Sequence, residues 1–122
     1  MAGYAYVELI VHDRAKMKEY IDNVPATVAA YGGKYLTRGG AVEALEGEIG
    51  PYPSKVIVEF DDVTAAKAWY HSAEYQALLP NRLDHADGNF LLIEGVYFRH
   101  CLAAKVTPAI RRYNRNYSIW LN

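Results

Sequence analysis

The sequence has a single cysteine, Cys101, and no long uninterrupted apolar run. One cysteine forms no internal disulfide framework and no thiolate metal cluster, and it suits a reducing compartment such as the cytoplasm. The most apolar stretches are strand-sized and are interrupted by Glu8, Glu59 and Glu94. No membrane span is expected from them. The opening residues, Met1-Ala2-Gly3-Tyr4, carry no basic segment leading into an apolar one, so no secretory signal is expected. A charge excess is missing as well. The chain has 13 Lys+Arg against 14 Asp+Glu, which gives no global argument for nucleic acid.

What is present points to one folded domain. A chain of 122 residues with 52% apolar and 22% charged side chains is not disordered. Chains of this size bury roughly two-thirds of their unfolded surface. Eleven tyrosines exceed what a core needs, and tyrosine suits interfaces and partly wet pockets. The near-neutral total also hides an asymmetry. Residues 1–96 hold 8 basic and 14 acidic side chains, while 97–122 hold 5 basic and none acidic. The expectation is a body, 1–96, with a basic extension, 97–122.

Residues 3–12 alternate and predict a strand. Asp13 is placed to cap a helix that carries Met17, Ile21, Val24, Val28 and Tyr31 on one face. Pro25 predicts a kink or break near Asn23, and Gly32-Gly33 a stop. A second strand is expected over Lys34–Arg38, and Ala41–Leu45 is a candidate edge segment. The loop 46–54 follows, and then a strand over Lys55–Phe60. Asp61-Asp62 would cap a helix over Val63–Tyr70, and Ser72 a further one over Ala73–Leu79 that Pro80 ends or bends. Gly88 is expected in a turn before a last strand, Asn89–Val96. The order β-α-β-β-α-β is that of the ferredoxin-like α+β fold, a four-stranded antiparallel sheet with its helices on one face.

Neighbouring strand residues point to opposite faces. By parity one face collects Ala5, Val7, Leu9, Val11, Val56, Val58, Phe60, Leu91 and Ile93, and is expected under the helices. The other collects Tyr4, Tyr6, Glu8, Ile10, Lys55, Ile57, Glu59, Phe90, Leu92 and Glu94. That second face is too apolar for water and holds three carboxylates that need partners. Two such sheets packed face to face in a twofold homodimer, closing a barrel, would meet both conditions.

A series of spaced motifs then identifies a resemblance. Tyr31-Gly-Gly-Lys-Tyr-Leu-Thr-Arg38-Gly-Gly40 is followed by Leu45-Glu-Gly47, Val58-Glu-Phe60, Ala68-Trp-Tyr-His-Ser-Ala-Glu-Tyr-Gln76, Arg82 and Glu94-Gly95. Over about residues 3–96 the chain resembles the DUF1330 family of the dimeric α+β barrel superfamily. The resemblance implies a ferredoxin-like protomer and a barrel dimer, and little about chemistry, since DUF1330 is known as a domain of unknown function. The wider superfamily includes monooxygenases, isomerases and haem-degrading enzymes, too wide a range to transfer a reaction.

The candidate chemistry centres on Glu8, Arg38 and Glu59. Clustered carboxylates raise one another's pKa and can leave one as a general acid or base, and an arginine beside them can clamp an anion. The alternative is a satisfied polar network that only fixes dimer packing. Tyr6, Tyr70 and Tyr75 are candidate cleft walls, with Arg82 a candidate for the same cleft or for a tie between helix and carboxylate. Trp69 is expected in the core. His71-Ser72 lacks the geometry of a nucleophilic pair, since adjacent residues point apart and Ser72 serves as a cap. His12, His71 and His85 have no metal-ligand spacing, and none is assignable as a haem ligand. In the extension, Val106, Ile110, Tyr113, Tyr117 and Trp120 predict an amphipathic helix docked on protein. The reading is a cytoplasmic homodimer, without metal or cofactor and without a nucleic-acid or membrane partner. It binds a small organic molecule, and cofactor-independent acid–base or oxygenation chemistry is in scope. The rival is a non-catalytic binding or interaction module.

Overall fold

A computed structural model of the chain describes residues 1–96. The amphipathic helix expected in the extension lies outside the described residues, as does Cys101. The elements in order are β1 (Gly3–Val11), α1 (Lys18–Ala30), β2 (Lys34–Arg38), β3 (Ser54–Phe60), α2 (Val63–Tyr70), α3 (Ala73–His85) and β4 (Ala86–Glu94). They form one antiparallel sheet in the order β2-β3-β1-β4, the ferredoxin-like topology. The second helical arm is two helices, each with the cap expected of it. The Asp62 carboxylate accepts the Ala65 N–H at 2.7 Å, and the Ser72 hydroxyl accepts the Tyr75 N–H at 3.2 Å.

The core lies between the sheet and the helices. Alternation in β1 buries Ala5, Val7 and Leu9, and β3 adds Val58 and Phe60 from the same face. Met17, just ahead of α1, and Tyr20, Val24 and Val28 within it come down onto this face, with Ala66, Trp69, Tyr75 and Leu79 from α2 and α3. Trp69 is in the core as expected, and its indole N–H donates to the Thr27 hydroxyl at 3.0 Å. That bond satisfies a polar group which would otherwise cost free energy to bury.

Several local expectations are corrected. Asp13 accepts the Lys16 N–H and closes the turn ahead of α1, while the helix itself starts at Lys18 without a side-chain cap. Pro25 breaks nothing, and α1 runs through it. A proline lacks the N–H that would bond to the carbonyl four residues back, here that of Ile21. The Arg38 guanidinium takes that carbonyl instead, with Nη2 at 2.7 Å. α3 likewise passes through Pro80 and ends at His85. Ala41–Leu45 forms no strand, and 40–53 is an exposed connection.

β4 differs most from expectation. It starts at Ala86, and Gly88 is inside the strand rather than in a turn. A Cβ on Gly88 would lie 1.8 Å from the Glu8 carbonyl oxygen, so only glycine allows the two backbones to approach this closely. The register also inverts the faces assigned to this strand. Phe90 pairs with Val7 and Leu92 with Ala5, so both face the helices, and Leu91 and Ile93 face away beside Tyr6 and Tyr4. The run Phe-Leu-Leu-Ile is apolar at both parities and carries no period-2 signal of its own. Glu94, opposite Gly3, thereby leaves the open face, where Glu8 and Glu59 remain and Asp87, opposite Ile10, is added.

Candidate functional site: the cleft beneath α1

α1 packs chiefly on α3. Between α1 and the sheet a cleft of about 610 Å³ remains, within the common range for small-molecule sites of roughly 300–1,000 Å³. Its walls are apolar: Val7 and Leu9 from β1, Val24 from α1, Val56 and Val58 from β3, with Trp69 and Phe90 behind them. The polar groups are few. Arg14, Arg38, Tyr20, Tyr35 and Ser54 line it, while among the described residues no carboxylate and no histidine does.

Arg38 is held from two sides. It donates to the Ile21 carbonyl, and its guanidinium carbon sits 5.0 Å from the centre of the Tyr35 ring. β2 places both residues on the helix side, pairing Tyr35 with Val58 and Arg38 with Val56 across the irregularity at Leu36. Burial pushes the Tyr35 phenol above its usual range, with the Arg38 charge pulling the other way. Burial also raises the Tyr20 phenol well above its usual range, reinforced by Tyr75. Both phenols are therefore neutral hydrogen-bonding groups near pH 7.

The expected centre of Glu8, Arg38 and Glu59 is divided between the two faces of the sheet. Glu8 and Glu59 stand on the open face, opposite Lys55 and Tyr4 respectively, and Arg38 on the helix face. Four residues of strand separate the positions of the two glutamates, roughly 13 Å at the usual rise. At one end of the open face Glu8 accepts from Lys55 at 3.0 Å, from Asn89 at 2.9 Å and from Tyr6 at 3.3 Å. The Asn89 and Lys55 hydrogen bonds hold its carboxyl below the usual carboxylate range, with burial opposing them. At the other end Lys34 lies 3.5 Å from Glu59. Between them are Tyr4, Tyr6, Ile57, Leu91 and Ile93, the last two about half exposed. A broad depression of about 880 Å³ lies between Tyr6, Glu8 and Lys55 and the connection that carries Glu43, Glu46 and Glu48.

Of the other candidates, Tyr75 is fully buried and Tyr70 partly buried, their rings packed 5.4 Å apart and both against Phe90. They stand behind the cleft wall and do not line it. Arg82 is buried, 5% exposed, behind the same wall. The Ser72 hydroxyl donates to the Trp69 carbonyl at 2.7 Å and is a cap. His12 Nε2 lies 2.7 Å from Asp87 on the surface. Among the described residues no group of three or more His, Cys, Asp or Glu is arranged to hold a metal, and no helix is long and apolar enough to cross a membrane.

Sequence reasoning does not single out Tyr20, Tyr35, Val56 or Arg14 as site residues. Tyr20 has a signal, since it lies three residues after Met17 on the core stripe of α1. Tyr35 shares with Arg38 a face that only the β-bulge creates.

Comparison with known proteins places this architecture. Residues 2–96 match the model of DUF1330, described as a domain of unknown function. The chain belongs to the DUF1330 family. No curated protein matches the sequence. Among solved structures the chain is similar to a protein of unknown function from Rhodopseudomonas palustris, at 14% identity and TM-score 0.63, over 78% of this chain and 82% of that one. It is similar to a dimeric ferredoxin-like protein of unknown function from Jannaschia sp. CCS1, at 16% identity and TM-score 0.60, over 79% and 99%. It is also similar to SnoaB from Streptomyces nogalater, a cofactor-independent oxygenase, at 14% identity and TM-score 0.51, over 88% and 97%. At these identities the likeness is one of fold. The solved structures that this DUF1330 chain resembles in fold thus include proteins of unknown function and one oxygenase.

Proposed function

We propose that this DUF1330 protein is a homodimer in which each protomer binds a small, mostly apolar organic anion in the cleft beneath α1. The observation that carries the reading is the cleft itself: apolar walls of valine, leucine, tryptophan and phenylalanine, with Arg14 and Arg38 as its charged groups among the described residues. An apolar body gains from leaving water, at about 25 cal/mol per Å² buried. A carboxylate or another oxyanion gains from the guanidinium groups.

Cofactor-independent oxygenation is the chemistry in scope. SnoaB is described as such an oxygenase. A reaction of that kind draws electrons from the organic substrate, so the protein's part is to hold an electron-rich anion in a dry site. Apolar walls and neutral phenols from Tyr20 and Tyr35 supply those conditions here. The carboxylates Glu8 and Glu59 have a different role in this reading. Glu8 is already matched by Lys55, Asn89 and Tyr6, and an ionised, satisfied carboxylate is a poor proton donor. It specifies packing of the open face, whose apolar centre two copies would cover. The dimeric state of the Jannaschia protein supports that packing. If the cleft binds nothing, this face makes the chain an interaction module.

The test is a thermal-shift screen of aromatic and aliphatic acids and phenols on the wild type and Val56→Phe, which fills the cleft from β3. At a ligand concentration of one hundred times Kd the stabilisation is about 2.7 kcal/mol, several degrees in Tm. The wild type should respond to at least one anion, and Val56→Phe should lose most of the response. A ligand that stabilises both equally would put the site elsewhere.

A further inference from the structure

Behind the inner wall of the cleft lies a group of side chains with more hydrogen-bond donors than acceptors. The Tyr20 and Tyr75 hydroxyls are 2.9 Å apart and buried. Arg82, also buried, lies with its guanidinium carbon 5.9 Å from the Tyr20 ring centre and 5.6 Å from that of Phe90. Tyr20 and Phe90 both line the cleft. Arg82 Nε has no hydrogen-bond partner among the described residues. No carboxylate pairs with this guanidinium among them either, and residues 97–122 contain no Asp or Glu.

The inventory of protons is one-sided. A guanidinium only donates, and each phenol has one proton. The two hydroxyls share one hydrogen bond, so whichever of them donates, the other keeps a proton that this bond does not use. Arg82 offers further N–H groups and a positive charge to the same place. Through its charge, and through hydrogen bonding at Tyr75, it counters the upward shift that burial imposes on the phenols. Surplus donors and a buried positive charge without a carboxylate are costly when left alone. They suit an incoming oxygen atom that bears negative charge, and Tyr20 is the member of the group that lines the cleft.

We propose that the inner end of the cleft is an oxyanion site in which Tyr20 donates to a phenolate or enolate oxygen of the ligand, with Tyr75 and Arg82 as positioning residues. This rests on the cleft being the binding site and narrows the ligand to an apolar molecule with one such oxygen buried deepest. The arginines at the cleft's polar positions are left for any second anionic group.

The experiment uses 4-nitrophenol, whose phenolate absorbs visibly apart from its neutral form, and 4-nitrotoluene, which has the same shape without the oxygen. Binding of each to the wild type, Tyr20→Phe and Arg82→Gln is followed by calorimetry, and the bound phenol's protonation by absorbance. The wild type should bind the phenol as phenolate at a pH where the free probe is largely neutral. Tyr20→Phe, which removes one oxygen and little volume, should weaken phenolate binding about tenfold or more, the scale of a hydrogen bond to a charged group. It should leave nitrotoluene binding unchanged. Arg82→Gln should raise the bound probe's apparent pKa, a change that loss of packing alone does not produce. If Arg82→Gln does not fold, Tyr20→Phe decides the matter. Equal binding of both probes by the wild type and Tyr20→Phe would overturn the oxyanion site and leave the cleft reading standing. Binding of neither probe by the wild type would overturn both.

Discussion

Arg38 and Pro25 should be energetically coupled although they lie on different elements. Pro25 leaves the Ile21 carbonyl without its helical partner, and Arg38 Nη2 occupies that carbonyl at 2.7 Å. Replacing Arg38 by methionine removes the donor and keeps most of the aliphatic stem. A hydrogen bond from a charged donor contributes about 1.5–3 kcal/mol when buried, less at an exposed site such as this one. Its stacking on Tyr35 adds about 0.5–1 kcal/mol. With about 1 kcal/mol for the exposed hydrogen bond, Arg38→Met in the native background should therefore cost about 1.5–2 kcal/mol. Pro25→Ala restores a backbone N–H at that position, which can satisfy the Ile21 carbonyl. In that background the Arg38 replacement should cost only the stacking part. The coupling energy is then about 1 kcal/mol, larger than the ~0.3–0.5 kcal/mol scatter of independent sites. Urea unfolding of the four proteins at one fixed concentration measures it. Additive costs would refute the claim that Arg38 is what lets α1 run through its proline.

The open face gives two further expectations. Leu91→Glu places an uncompensated charge in the apolar centre between Tyr6 and Ile93, and sedimentation should show the wild type as a dimer and this variant as a monomer with unchanged far-UV circular dichroism. Glu8 has a folded pKa below its ordinary 4.5, so its stabilising effect is complete above the ordinary value and is lost as pH falls through the depressed one. Glu8→Gln should be less stable than the wild type at neutral pH, and the two should converge in acid; a constant difference across that range would contradict the assigned hydrogen bonds.

The sequence is most legible where burial is one-sided. β1 and β3 alternate because one face meets the helices, so their parity and the βαββαβ order can be read directly. β4 has apolar residues at every position from Phe90 to Ile93, and only pairing with β1 decides which of them face the core. Pro25 reads as a breaker because local rules count a lost N–H and not its replacement, and Arg38 is a tertiary replacement 17 residues from Ile21. The same distance hides the site. Carboxylates scattered along strands suggest a catalytic cluster, yet the sheet sends Arg38 to one side and Glu8 and Glu59 to the other. The cleft exists because α1 leans on α3 and stands off the sheet, a packing relation between elements that no local pattern encodes. Sequence leaves Arg82 a choice between a carboxylate and the cleft, and its burial behind Tyr20 without a carboxylate is visible only once α3 is placed.

The central claim is that a small apolar anion binds beneath α1. Methyl-labelled valine spectra of the wild type, recorded with and without the best anion from the thermal-shift screen, test it most directly. Shifts are expected at Val7, Val11, Val24, Val56 and Val58, the valines that line the cleft, with Val42 and Val63 unmoved. Shifts at Val42, beside the open-face depression, with the cleft valines silent, would contradict it.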